Sequence, residues 1–112
     1  MPVSYSFHPE AIFEYAAATS FYLREASPRV TERFVEAVET AVASLVSSPE
    51  RGRVVEEPDI RRYVFLRFPY VLYYRWEPSL ERIIIYAVMH CSREPGYWHH
   101  RVEQRGPTTE DV

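Results

Sequence analysis

The sequence predicts an α+β fold of two layers, a helix hairpin packed on an antiparallel sheet. Three observations carry this reading: a short alternating run at the start, two helix-period stretches with a brief break between them, and three β-rich runs separated by hairpin-sized gaps. With 112 residues, 46% of them hydrophobic and 26% charged, the chain can build one core but not two. The pattern holds through residue 101. From 102 to 112 "VEQRGPTTEDV" loses its hydrophobic period, so residues 1–101 read as the domain and 102–112 as a flexible tail.

Each element has a local cause. Val3, Tyr5 and Phe7 alternate with Ser4 and Ser6, as in a strand with one buried face. "HPEAIFEYAAATSFYLREA" then opens a helix, with His8 before it, Pro9 in the first turn and Glu10 near the positive end of the dipole; Ile12, Tyr15, Ala16, Thr19, Tyr22 and Leu23 form its apolar stripe. Ser27 is the expected N-cap of a second helix, Pro28 its first residue, and Pro49 follows its end. Phe34, Val38, Ala41, Val42 and Leu45 have the spacing of a buried face, while Glu32, Glu36 and Glu39 lie away from it. The short link at 25–27 makes the two helices antiparallel.

Residues 60–68, 70–76 and 82–90 form a meander, and 53–57 adds a short edge strand. Because side chains alternate along a strand, each run divides into two faces. Ile60, Val64, Leu66, Leu72, Tyr74, Trp76, Ile83, Ile85, Ala87 and Met89 are expected under the helices. The opposite face, from Arg61, Tyr63, Phe65 and Arg67 through Tyr73 and Arg75 to Tyr86, Val88 and His90, mixes apolar residues with arginine. Two helices cannot cover both faces, so this one reads as a surface that another molecule covers, or as arginines snorkelling over a partly solvated sheet.

All thirteen basic residues are arginines and none is lysine, which reflects either arginine-biased coding or interfaces that use a planar, bidentate cation. A net charge of -3 argues against a general nucleic-acid coat but leaves room for a local basic patch. One cysteine, no signal-like start and no long apolar run predict a cytoplasmic chain without a membrane span.

The order of elements, with "FHPEA" opening helix one, "IRRYVFLRFPYVLYYR" across the first hairpin and "VMHCSREPGYWHHR" at the end, resembles the RelE/ParE superfamily of bacterial toxins over residues 4–101. The likeness is greatest to the ParE, or plasmid stabilisation, branch. It implies the toxin of a type II toxin-antitoxin module, joined in a hetero-oligomer with a small antitoxin encoded in an adjacent gene, whose helical C-terminal segment covers the toxin. ParE-like members resemble one another in poisoning DNA gyrase, which needs a surface and no active site. RelE-like members cut messenger RNA, and there Tyr97 would match the family's catalytic tyrosine; Val71 and Cys91 stand where RelE has phosphate-binding arginines, and the chain has no lysine. The arginines near Tyr97 cannot readily replace a base. A surface-binding toxin is therefore expected first, a ribonuclease second, and an inactive antitoxin-binding module third.

The expected functional surface is Arg61, Arg67, Tyr73, Arg75, His90, Arg93, Tyr97 and Trp98. Arg61 and Arg62 could equally form a salt-bridged edge, and Tyr97 and Trp98, after the turn at Pro95 and Gly96, could fold back to plug the sheet. His90 and Cys91 should point apart, as should His99 and His100, so no zinc site and no cofactor is expected. Cys91 reads as a small packed residue at a strand end.

Overall fold

The computed structural model describes residues 3–56, 59–93, 96 and 98–104, without the side chains of 103 and 104. Its elements are β1 (Ser4–Phe7), α1 (Pro9–Glu25), α2 (Pro28–Ser47), β2 (Arg53–Glu56), β3 (Ile60–Val64), β4 (Tyr70–Glu77), β5 (Arg82–His90) and α3 (His99–Gln104). Both long helices begin as their sequences dictate. His8 Nδ1 accepts the Glu10 N–H at 3.1 Å, and Ser27 Oγ accepts the Val30 N–H at 3.1 Å, each just before a proline at the first helical position.

The five strands run in the order β1-β5-β4-β3-β2. β2 to β5 form the antiparallel meander, and β1 returns beside β5 in parallel, from Ser4↔Arg82 to Phe7↔Ile85. The β3–β4 link is longer than predicted: the strand stops at Val64, residues 65–69 turn, and Leu66 stands 98% exposed at the tip. A 3₁₀ turn at Pro78–Leu80 and a left-handed Glu81 join β4 to β5.

Helix α2 buries Phe34, Val38, Ala41, Val42 and Leu45, the stripe its spacing predicts. Helix α1 differs from expectation. Ala11 and Ala18 are its buried residues, Tyr15 and Tyr22 are half-buried, and Ile12, Ala16 and Leu23 face outward. Alanines seven residues apart let α1 approach β5 closely, and the tyrosines wedge against Phe34 of α2.

Two strand faces are also corrected. Arg61↔Tyr74 and Tyr63↔Leu72 are cross-strand pairs, so β3 turns Arg61, Tyr63 and Phe65 toward the helices and Ile60 and Val64 away. In β5, Tyr73 pairs with Ala87 while Tyr74 pairs with Ile85, which leaves Tyr86 as the extra residue of a bulge. The alternation therefore slips: Ile83, Ile85 and Val88 join the helix-side core, whereas Tyr86, Ala87 and Met89 belong to the far side.

That far side is not open. Ile60, Val71, Tyr73, Tyr86, Ala87 and Met89 make a second core closed by Trp98 and, from α3, Val102. The uncovered face expected from two helices is thus largely covered by a third. The boundary expected after Arg101 falls inside α3, between a buried Arg101 and a half-buried Val102. Residues 105–112 lie outside the described residues.

Candidate functional surface

The residues expected to form one surface fall into three places. Tyr73 and Trp98 lie in the far-side core, 7% and 2% exposed, with their rings stacked at 4.8 Å. Arg75 lies on the same face between Ile60 and Ile84, 8% exposed, and its Nε has no hydrogen-bond partner among the described residues. These three are interior groups in this conformation. Tyr97 lies outside the described residues.

Arg61 sits at the opposite end of β3 from the turn and locks a loop. Its Nε pairs with Asp59 Oδ1 at 2.6 Å, and its Nη1 donates to the carbonyls of Glu50 and Gly52, both at 2.9 Å. Of the two readings open for Arg61, this geometry is the salt-bridged edge.

Arg67, His90 and Arg93 lie at the same end of the sheet but line two separate clefts. Tyr70 pairs with His90, and the Cys91 N–H donates to the Pro69 carbonyl at 2.8 Å, which brings the β3–β4 turn beside the end of β5. Cys91 itself is exposed, not packed. Tyr22 and Phe68, ring centroids 5.4 Å apart, form a ridge with a cleft on each side. One cleft, about 630 Å³, lies between α2 and the turn and includes Arg33, Glu36, Ala37, Leu66 and Arg67. The other, about 410 Å³, lies between α1 and the end of β5 and includes Phe21, Tyr70, His90, Ser92 and Arg93.

The Ser92 N–H can only donate, so at 3.0 Å it makes His90 Nδ1 an acceptor, and the neutral ring then carries its proton on Nε2. Burial raises the hydroxyl pKa values of Tyr22 and Tyr70, and for Tyr70 the neighbouring Tyr22 adds to the rise. Both therefore remain neutral hydroxyls. Among the described residues no group of three or more His, Cys, Asp or Glu side chains gathers as a metal site would require, and no helix is long and apolar enough to cross a membrane.

Sequence reasoning missed the joint that holds α3 in place. Beyond Ile85, β5 loses β1 as a neighbour because the chain leaves into α1. Glu14 takes over: its Oε1 accepts the Val88 N–H at 2.9 Å. The same carboxylate grips Arg101 through both oxygens, at 3.0 and 2.9 Å, and Arg101 Nη1 also donates to the Tyr86 carbonyl at 2.8 Å, which the bulge has turned out of the ladder. Glu10 adds Arg101 at 3.3 Å and His100 at 3.5 Å, and across the sheet His99 Nε2 meets Glu56 Oε1 at 2.6 Å. The signal in the sequence is slight: Glu14 interrupts the apolar run from Ala11 to Ala18 of α1.

A β-strand, a helix hairpin and a meander, with a short C-terminal helix on the far face of the sheet, define a small α+β fold with one core on each face of a single sheet. The chain belongs to the ParE toxin family of type II toxin-antitoxin systems, whose family model matches residues 5–95. Solved structures agree on the fold. The ParDE toxin-antitoxin system of P. aeruginosa aligns with a TM-score of 0.64 at 18% identity, over 80% of this chain and 95% of that one. A substituted E. coli RelE toxin in the free state aligns at 0.62 and 16% identity, over 94% and 98%. The isolated E. coli RelE toxin aligns at 0.57 and 17% identity, over 94% and 99%. No curated protein sequence matches the chain.

Proposed function

We propose that this chain arrests growth as a cytoplasmic, ParE-like binding protein that poisons DNA gyrase and is held inactive by a small antitoxin in a hetero-oligomer. The observation that supports a surface over an active site is the dispersal of its cations. A ribonuclease needs positive groups and a proton acceptor around one phosphate. Here Arg61 is committed to a loop, Arg75 is interior, and Arg67 stands across the Tyr22–Phe68 ridge from His90 and Arg93. The cleft beside Leu66, lined by apolar side chains with Arg33 and Arg67 against a single Glu36, suits an apolar, acidic antitoxin segment.

Expression of the chain alone tests this. Filamentation and DNA damage with intact bulk mRNA are expected, together with accumulation of cleaved DNA when the purified chain is added to gyrase. Rapid codon-linked mRNA cleavage would instead favour a RelE-like ribonuclease built on Tyr97. Unaffected growth would favour an inactive antitoxin-binding module.

A further inference from the structure

Helix α1 is apolar on the side facing away from the sheet as well as on the side facing it. Its outer side presents Phe13, 73% exposed, and Phe21, 48% exposed, with Ala16, Ala17 and Ser20 between them and Ile12 and Leu23 flanking. A helix apolar all round is normally covered on all sides. Glu10, Phe13, Ala17, Phe21 and Arg24 recur at intervals of three and four residues, so they share one stripe. The stripe is self-complementary about Ala17: reversing its direction exchanges Phe13 with Phe21 and Glu10 with Arg24.

We infer that a second copy of this chain docks on this stripe, the two α1 helices running antiparallel about a twofold axis at Ala17. A twofold interface must present one patch to itself, which this order of residues satisfies. Ala17 against its own counterpart lets the helix axes approach. Phe13 then packs beside Phe21 of the second copy at both ends, and Arg24 meets Glu10, whose side chains are 66% and 46% exposed. Charge selects this occupant over an acidic peptide. The stripe carries Arg24 and Glu10 at opposite ends; within the chain Arg24 lies 3.6 Å from Glu25 and Glu10 meets Arg101 and His100, and an antiparallel copy adds an opposite charge at each exposed end, which a uniformly acidic peptide does not. The two phenylalanines contribute roughly 250 Å² per protomer, taking about 200 Å² for an exposed ring. With the flanking residues the interface stays at the small end of specific contacts, so the dimer is weak and dissociates on dilution.

The test is sedimentation of the full purified chain over a wide concentration range, with circular dichroism to confirm folding. A monomer–dimer shift is expected, abolished by Phe13→Glu and weakened about tenfold by Arg24→Glu. In a Cys91→Ser background, Ala17→Cys should form a disulfide-linked dimer under mild oxidation, while Ala43→Cys, exposed on α2, should not. A folded chain that stays monomeric at every concentration overturns the inference. So does a dimer that survives Phe13→Glu, or cross-linking as fast through position 43 as through position 17. None of these readings depends on gyrase or on an antitoxin.

Discussion

Tyr74 fixes the loop between α2 and β2 with one hydroxyl. It is fully buried, accepts the Gly52 N–H at 2.9 Å and donates to the Pro49 carbonyl at 2.8 Å. Gly52 is required by this closeness, since a Cβ there would stand 2.6 Å from the Tyr74 oxygen and 2.7 Å from the Arg62 carbonyl. Tyr74→Phe strands a buried N–H and is expected to lower unfolding free energy by about 1–3 kcal/mol, read from the urea midpoint at unchanged slope. An unshifted midpoint would mean that the loop is held by Arg61 alone. Burial raises the Tyr74 pKa, outweighing the Gly52 hydrogen bond and the Arg61 charge that lower it, and burial likewise raises Tyr15, Tyr22 and Tyr70. A pKa higher in the folded state than the unfolded value of 10.0 means that the folded state binds more protons at alkaline pH. The stabilisation is complete below the unfolded value and lost as pH rises through the folded one. Urea midpoints should thus fall with pH above about 10, less steeply in Tyr74→Phe. A midpoint rising there would contradict the burial.

Among the elements, α2 was the most legible because its apolar residues form one stripe and its glutamates the other. α1 was not, since apolar residues occur all round it and periodicity alone cannot tell which side meets the sheet. The strands were found, and β4 and the first half of β5 were assigned to the faces they occupy, but β3 and the second half of β5 were not. A single extra residue at Tyr86 reverses the alternation for the rest of β5, and nothing in "RIIIYAVMH" marks it. Arg61 and Trp98 each had a structural and a functional reading open; Arg61 is half-buried in a salt-bridged edge and Trp98 is buried against the sheet. The greatest loss of legibility was α3, whose sequence is polar and whose anchor pairs residues 14 and 101. Arg101→Ala leaves the Glu14 carboxylate, 17% exposed, facing an empty site at the β5 edge. A cost of about 3 kcal/mol is expected, with faster amide exchange through α3 and at Val88. A double-mutant cycle with Glu14→Gln isolates the pair; coupling near zero would show α3 to be held by Trp98 and Val102 instead.

At the scale of the molecule, one sheet separates two cores of unequal strength. The helix-side core is closed by two long helices and ten or so large side chains, while the far-side core depends on Trp98 and Val102. Each half of the far-side lid is tied to an edge of the sheet, His99 to β2 and Arg101 to α1 beside β5, so the lid is fastened by polar contacts over an apolar floor. A chain ending at Trp98 keeps the indole but loses Val102 and both fastenings. Its helix-side core should remain folded, with far-ultraviolet circular dichroism nearly that of the full chain. The stacked Tyr73–Trp98 pair should lose its near-ultraviolet signal, and Val71, Tyr73 and Met89 should become available to a hydrophobic dye. Exposing several such side chains costs about 1.5–3 kcal/mol for each one fully uncovered, enough to lower the urea midpoint visibly. Arg75 supplies the control. It is a buried cation on that floor, without a hydrogen bond to Nε among the described residues, so Arg75→Met in the full chain should leave stability unchanged or raise it. In the shortened chain the guanidinium regains water and the same substitution should lose that benefit. Equal effects in both backgrounds, or an unaltered near-ultraviolet spectrum on truncation, would mean that the far-side core closes without α3.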